Sequence, residues 1–229
     1  MRISGFQELT TIDYPGHTAA IVFTSPCNCA CPFCHNHQFI EKTETVINEE
    51  RIFTELEKRK KILDAVVISG GEPTLQPDLI PFIERVKKLG LKVKLDTNGS
   101  NSSKVEHLLF NNLVDYFAID VKAPFAKYTK VTGTAFNVWE LYICLSNLIH
   151  GSRDVDYEIR TTVVPGLLAK EDIIKIGELI QDAKLYVIQQ FVPTVTYDET
   201  YKKLKPYSME VLQSYADAVK GFVKKVIIR

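Results

Sequence analysis

Between Ser25 and His37 the chain reads SPCNCACPFCHNH, which brings together Cys27, Cys29, Cys31 and Cys34, four of its five cysteines, with His35 and His37. Thiolates and imidazoles this close together are metal ligands or redox groups. Cys27, Cys31 and Cys34 stand at C-x3-C-x2-C. Completed by Cys29, His35 or His37, the triplet would make a closed tetrahedral zinc site of the structural kind. Such knuckles usually draw two ligand pairs from separated segments, and the one other cysteine is Cys144. On an iron–sulfur cube, three thiolates would instead leave one iron without a protein ligand. An open metal position is what separates a catalytic site from a closed one. Both readings stand at this point.

The elements that must position these residues read as alternating strands and helices from Thr18 onward. Strands are expected at Ala19–Thr24, Ala65–Ser69, Val93–Asp96, Tyr116–Val121, Asp156–Val164 and Tyr186–Phe191, with VKKVIIR as a further edge strand. Their continuous apolar character suits burial on both faces of a parallel sheet. Helices are expected in EERIFTELEKRKKI after a cap at Asn48, LIPFIERVKKL closed by Gly90, and KVEHLLFNN capped by Ser102 or Ser103. Three more follow, in NVWELYICLSNLI closed by Gly151, KEDIIKIGELIQDA and SMEVLQSYADAVKGFVKK. The first strand runs into the cysteines, the second into Gly70-Gly71-Glu72-Pro73 and the third into Asp96-Thr97-Asn98-Gly99. The fourth leads into Asp120-Val121-Lys122, and the fifth carries Arg160 before Val164-Pro165-Gly166. In a barrel of parallel strands these positions meet at one mouth, the carboxyl face where active sites lie. The fold expected is α/β, a partial (β/α)6 TIM-type barrel on a parallel sheet, forming one domain over residues 1–229. About six βα units cannot close an eight-stranded barrel, so the sheet should stay open laterally.

Lys plus Arg and Asp plus Glu both number 28, which gives no global field for nucleic acid or an anionic membrane. The first residues lack the apolar core of a signal peptide, and no apolar run approaches the roughly 20 residues of a membrane helix. A cytoplasmic location is expected. In a reducing compartment clustered thiols are more often metal ligands than disulfides, and an odd total of five agrees.

The cysteine triplet, Phe33 just before its last member, and GGEP at the end of the next strand resemble the radical S-adenosylmethionine superfamily. TIDYPG, CHN, DTNG, DVK and VVPG, in that order, narrow the resemblance to its glycyl-radical-enzyme activases. The likeness is greatest to the activating proteins of anaerobic ribonucleoside-triphosphate reductase, with those of pyruvate formate-lyase as near relatives. That resemblance implies a [4Fe-4S] cluster on Cys27, Cys31 and Cys34, with S-adenosylmethionine chelating the fourth iron. It implies cofactor contacts from Phe33 and His35 on the adenine side, and from Gly70 and Gly71, where the missing Cβ would let backbone approach the cofactor. Glu72 would accept hydrogen bonds from the cofactor's ammonium group. Thr97 would offer a hydroxyl and Lys122 a cation to its carboxylate. Asp120 would receive the ammonium or ribose hydroxyls, and Arg160 would partner the acids or the cofactor. Asp96, Thr97 and Asp120 resemble a monovalent-cation site of the formate-lyase branch, since hard cations prefer oxygen ligands.

Blander readings accompany these. Gly70-Gly71 alone is a tight turn, Asp120 and Lys122 a surface ion pair, and Asp96 a turn residue. Cys144 and Trp139 read as core. His17, His37, His107 and His150 read as structural or surface groups, and Tyr197–Tyr207 as a solvated connection. Cys29 is foreign to the family pattern. Pro26 stands where relatives commonly have glycine, which stiffens entry to the loop. Tyr14 in DYPG favours the reductase branch. The implied partners are a glycyl radical enzyme as protein substrate and a reductant such as flavodoxin or ferredoxin, with no nucleic acid or membrane. Two alternatives remain: a radical enzyme acting on a small molecule, as deazaguanine-forming relatives do, and a metal-binding protein without catalysis.

Overall fold

In the computed structural model the described residues are 1–43, 45–151 and 155–229. The chain runs β1 (Ile3–Thr10), β2 (Ala19–Thr24), α1 (Glu49–Arg59), β3 (Ala65–Gly70), α2 (Leu79–Lys88), β4 (Lys92–Thr97), α3 (Ser102–Phe110) and β5 (Tyr116–Asp120). It continues through α4 (Tyr128–Thr132), α5 (Val138–His150), β6 (Asp156–Val163), α6 (Lys170–Leu179), β7 (Tyr186–Gln190), α7 (Met209–Val219) and β8 (Val226–Ile228). One sheet holds the eight strands in sequence order. β1 is antiparallel to β2, and every later pair is parallel. Among the described residues β1 and β8 do not pair with each other, so the barrel-like sheet is open.

Strand side chains alternate between two environments because their period is two. Val22, Ile68, Leu95, Phe117, Ile159 and Ile188 pack with the helices in one large core. On the opposite face, which no helix covers, Ala19, Ile21, Ala65, Val67 and Ala118 form a smaller cluster with Tyr14 and Tyr116. Farther along that same face the strands carry charges instead: Lys94 and Asp96 on β4, Asp120 on β5, Glu158 and Arg160 on β6. The apolar runs expected of a two-sided sheet are therefore interrupted on one side only.

Asn48, Asn137 and Ser208 cap α1, α5 and α7 through their side chains. For α3 the cap is Asn101, whose Oδ1 accepts from Lys104 N–H, rather than Ser102 or Ser103. Ser102 N–H and Oγ instead donate to Glu140 on α5, at 2.8 and 2.6 Å. Trp139 does not enter the core. It is 65% exposed, because α5 buries the stripe Leu141, Cys144, Leu145 and Leu148 and turns Trp139 and Tyr142 outward, edge against face. Cys144 is buried, with its thiol 3.4 Å from Gly99 carbonyl.

β1 is an addition to the expected strands. Most of its residues are only partly buried and its pairing slips twice, so it carries no apolar run to betray it. The edge strand expected from VKKVIIR is β8.

Candidate active site

The carboxyl ends of the parallel strands open onto a cavity of about 580 Å³. It is lined by every residue nominated above: Cys27, Cys31, Cys34, Phe33, His35, Gly70, Gly71, Glu72, Asp96, Thr97, Asp120, Lys122 and Arg160. Order along the chain and convergence in space therefore agree.

The cysteine loop is tied down from several sides. Cys27 N–H donates to Ile40 carbonyl at 2.9 Å and Ala30 N–H to Thr132 carbonyl at 2.8 Å, while Asp198 N–H reaches Pro32 carbonyl at 2.9 Å. His35 Nε2–H donates to Val192 carbonyl at 2.8 Å, which fastens the loop to the segment after β7. Gly133, at φ +70°, lets α4 end directly against the loop, since a Cβ there would lie 2.5 Å from Ala30 carbonyl oxygen.

Cys29 lies buried between Cys27 and Cys31. Its thiol is held well above the usual range by hydrogen bonding to both neighbours and by burial. The same hydrogen bonding lowers Cys27, and brings Cys31 down to about 7 against the opposing effect of burial. Burial pushes Cys34 up to about 11. Asn98 Nδ2 donates to Asn28 Oδ1 at 2.8 Å and lies 3.6 Å from Cys29 Sγ. Cys29 is thus packed into the loop's interior, and His35 has its ring nitrogen engaged. With Cys29 packed inside the loop and His35 engaged at Val192, the triplet suits a cluster with an open position better than a closed zinc knuckle.

Gly70 and Gly71 are required by the protein itself. At Gly70, φ is +105° and a Cβ would lie 2.5 Å from Thr24 N. At Gly71 it would lie 2.5 Å from Pro26 carbonyl oxygen. The side each glycine leaves bare faces β2 and the cysteine loop, where Gly71 N–H donates to Thr24 carbonyl and Glu72 N–H to Pro26 carbonyl. The glycines let two strand ends meet, whereas the expectation was of room for a ligand.

Glu72 likewise serves the frame. Fully buried, its Oε1 accepts from Thr74 N–H at 3.0 Å, Thr74 Oγ1 at 2.5 Å and Thr97 Oγ1 at 2.6 Å, and its Oε2 accepts from Asn98 N–H at 2.7 Å. Burial nevertheless raises its pKa above the usual carboxylate range. Four protein donors occupy the carboxylate expected to meet the cofactor's ammonium group. Thr97 has spent its one O–H on Glu72 and accepts from Gly99 N–H at 3.1 Å, so no hydroxyl proton remains for a carboxylate.

The charged residues form a ladder. Arg160 Nε is 2.8 Å from Asp120 Oδ1, and its Nη1 is 3.5 Å from Asp96 Oδ1. Lys122 Nζ lies 3.4 Å from Asp120 Oδ2, and Lys94 Nζ 2.5 Å from Asp96 Oδ1. Burial opposes ionisation of Asp120, but Arg160 and Lys122 outweigh it and draw the carboxyl down to about 2. Burial also opposes the charge on Lys122, which the fields of Asp120 and the Cys31 sulfur hold firmly in place. Asp120 and Lys122 are therefore a half-buried pair at the cavity, beyond a solvated surface bridge.

Some lining residues escaped the sequence reading. Asn98 sits inside DTNG and could have been nominated by its motif. Gln7 on β1, Thr162 on β6 and Gln189 and Gln190 on β7 also line the cavity and carry no motif. Gln190 Nε2 donates to Tyr207 carbonyl at 2.9 Å, while its buried Oε1 has no partner among the described residues.

Comparison with known proteins agrees with this geometry. Residues 21–180 match the radical SAM superfamily. A Methanocaldococcus jannaschii protein provisionally named a glycyl-radical enzyme activating enzyme is 39% identical over 99% of this chain and 95% of its own length. The S-adenosylmethionine-dependent nucleotide dehydratase of Selenomonas ruminantium is 30% identical over 70% of this chain and 61% of its own. The pyruvate formate-lyase-activating enzyme of Staphylococcus aureus is 31% identical over 76% of this chain and 73% of its own. Streptococcus suis SuiB bound to S-adenosylmethionine shares the fold at a TM-score of 0.67 and 16% identity, over 89% of this chain, which spans 48% of that structure. The chain belongs to the radical SAM superfamily, among the relatives of glycyl-radical-enzyme activating enzymes, and its cofactors are accordingly a [4Fe-4S] cluster and S-adenosylmethionine.

Proposed function

We propose that this chain is an activase that generates a glycyl radical on a partner enzyme, with anaerobic ribonucleoside-triphosphate reductase as that partner. The observation that carries the reading is the near full-length similarity to the M. jannaschii protein with its provisional activating-enzyme name. When bound, the cluster and S-adenosylmethionine would supply one-electron reductive cleavage, the electron coming from an external donor, and through it the power to abstract a hydrogen atom from the substrate.

The protein's share is orientation and exclusion of water. Cys27, Cys31 and Cys34 would hold the cluster, in a loop whose backbone hydrogen bonds fix it to Ile40, to the turn after β3 at Glu72, to α4 at Thr132 and to Asp198. Phe33, 7% exposed, gives the adenine side an apolar wall, and His35 holds the loop's far end to Val192. Lys122 presents an ammonium group to the cofactor's carboxylate, while Asp120, fixed by Arg160, keeps an acceptor ionised at neutral pH for its ammonium group or ribose. The open sheet and the amide-bearing residues Gln7, Gln189 and Gln190 that line the cavity suit a backbone glycine presented on a peptide loop.

The test is anaerobic. Reconstituted protein should hold about four irons per chain, the content of one such cluster. With a one-electron donor such as flavodoxin or ferredoxin, it should give a glycyl signal by electron paramagnetic resonance when mixed with the reductase. The similarity to the nucleotide dehydratase favours a second reading, a small-molecule substrate. Cofactor cleavage with no glycyl signal on any glycyl radical enzyme would decide for it.

A further inference from the structure

Asp96, next to last in β4, and Asp120, last in β5, lie on the helix-free face, where the family resemblance implies a monovalent cation held by their oxygens and Thr97. The chain's own cations already stand there. Lys94, two residues before Asp96 and on the same face of β4, is 2% exposed, and its Nζ lies 2.5 Å from Asp96 Oδ1. That ammonium is also 6.0 Å from the Tyr116 ring, so the barrel interior closes over it. Arg160 spans the two acids, at 3.5 Å from Asp96 and 2.8 Å from Asp120, and Lys122 approaches Asp120 from the cavity side at 3.4 Å. Three side-chain cations, Lys94, Arg160 and Lys122, thus face two carboxylates, Asp96 and Asp120. Glu158, another acid on this face, pairs with Arg229 at 3.0 Å and lies farther, 3.9 Å, from Arg160 Nη1. The Thr97 hydroxyl lies in the Glu72 network.

An alkali cation favours a nest of oxygens whose charge is unanswered. Between Asp96 and Asp120 it would meet an ammonium and a guanidinium at contact range, and like charges so near and so little exposed to water repel strongly. The donor set therefore does not fit a bound monovalent cation.

We propose that in this chain the Lys94 ammonium, together with Arg160, takes the place of a monovalent metal ion between Asp96 and Asp120, so that cofactor binding needs no such ion. The pairing persists at neutral pH. Burial opposes ionisation at both acids, yet Arg160 and Lys94 keep Asp96 below its usual range, as Arg160 and Lys122 do Asp120.

The experiment uses the cluster-reconstituted protein in potassium chloride and in tetramethylammonium chloride of equal ionic strength, a cation too large for the site. S-adenosylmethionine affinity is read by calorimetry and thermal stability by circular dichroism. Wild-type affinity should differ by less than about twofold between the two salts, and its melting temperature should not move. Lys94→Met vacates the position beside Asp96, which Arg160 approaches only at 3.5 Å, and potassium taking that position should then tighten cofactor binding by about fivefold or more, within the ordinary range of site coupling. Should that variant not fold, Lys94→Gln carries the same expectation. A wild-type protein whose affinity or melting temperature rises clearly with potassium overturns the proposal. So does a folded Lys94 variant as indifferent to potassium as the parent. The affinity readout rests on the reading of this cavity as the cofactor site. Absence of cofactor binding in either salt would count against that reading, and the melting comparison would still decide the cation question.

Discussion

At the scale of single residues, the cavity separates groups that hold the frame from groups left free to meet a ligand. Glu72 looks in sequence like a cofactor contact, yet four protein donors surround it, two from Thr74 just after it and two from Thr97 and Asn98, 25 and 26 residues away. Cys29 looks like a fourth ligand, yet it is buried under Asn98 and shares hydrogen bonds with Cys27 and Cys31. Cys29→Ala is therefore expected to keep about four irons per chain after reconstitution, while Cys31→Ala loses the cluster. Iron and sulfide analysis checks both, and an iron-free Cys29→Ala protein would move Cys29 into the ligand set. Asp120 gives a pH prediction with a definite sign. Its folded pKa, about 2, lies below the roughly 3.9 of an unfolded aspartate. Such a group adds stability that is fully present above the unfolded value and disappears as pH falls toward the folded one. Acid unfolding followed by circular dichroism should show stability falling between about pH 4 and pH 2, and Asp120→Asn should fall less steeply in that window.

At the scale of elements, the strand ends matter more than the strands. β2 to β7 were legible because each is a short apolar run bounded by turns, and their order alone sent the cysteines, GGEP, DTNG and DVK to one mouth. β1 was not legible, because an antiparallel edge strand with two register slips needs no such run. Nor was the Lys94–Asp96 pairing. Both residues face the same side of β4, a consequence of the period of two that only becomes meaningful once Arg160 arrives from β6. The turn after β3 shows what an element end must satisfy. A methyl group on Gly71 would press on Pro26 and Phe39 carbonyl oxygens at 2.5 and 2.7 Å, and backbone cannot swing aside as a flexible side chain does. Gly71→Ala should therefore destabilise the fold by about 1–3 kcal/mol, the usual range for overpacking. Because Pro26 opens the cysteine loop, the same change should lower iron retention. Gly90→Ala, at φ +80° but with open space around the added methyl, serves as the control that leaves iron content unchanged.

At the scale of the whole molecule, the question is how a sheet that does not close keeps its last strand in place. β8 has three residues and pairs with β7 alone, and the pairing is extended by Tyr186 N–H to Lys225 carbonyl, Gln190 N–H to Arg229 carbonyl and Arg229 N–H to Ile188 carbonyl. Arg229, just beyond, adds a side-chain tie to β6. Its Nη1 and Nη2 reach the two carboxylate oxygens of Glu158 at 3.0 and 3.1 Å, two strands away across the helix-free face. Glu158 is fully buried, and its remaining partners are Tyr116 Oη–H at 3.1 Å and Arg160 Nη1 at 3.9 Å. Arg229→Met keeps an apolar stem and removes the fork, leaving a buried carboxylate underpaired. The expected cost is about 2 kcal/mol, typical of hydrogen bonds to a charged group, read from urea unfolding. Adding Glu158→Gln should recover part of that loss, since a neutral amide does not require the guanidinium, and the departure from additivity measures the pair. A second readout follows from the ladder. Without Arg229, Glu158 competes for Arg160, which now orients Asp120 at the cavity. Arg229→Met should therefore weaken S-adenosylmethionine binding as well as stability, and Arg229→Lys, which restores the charge without the fork, should recover the cofactor affinity more fully than the stability. Equal recovery of both would mean that the seam and the cavity are not linked through Arg160.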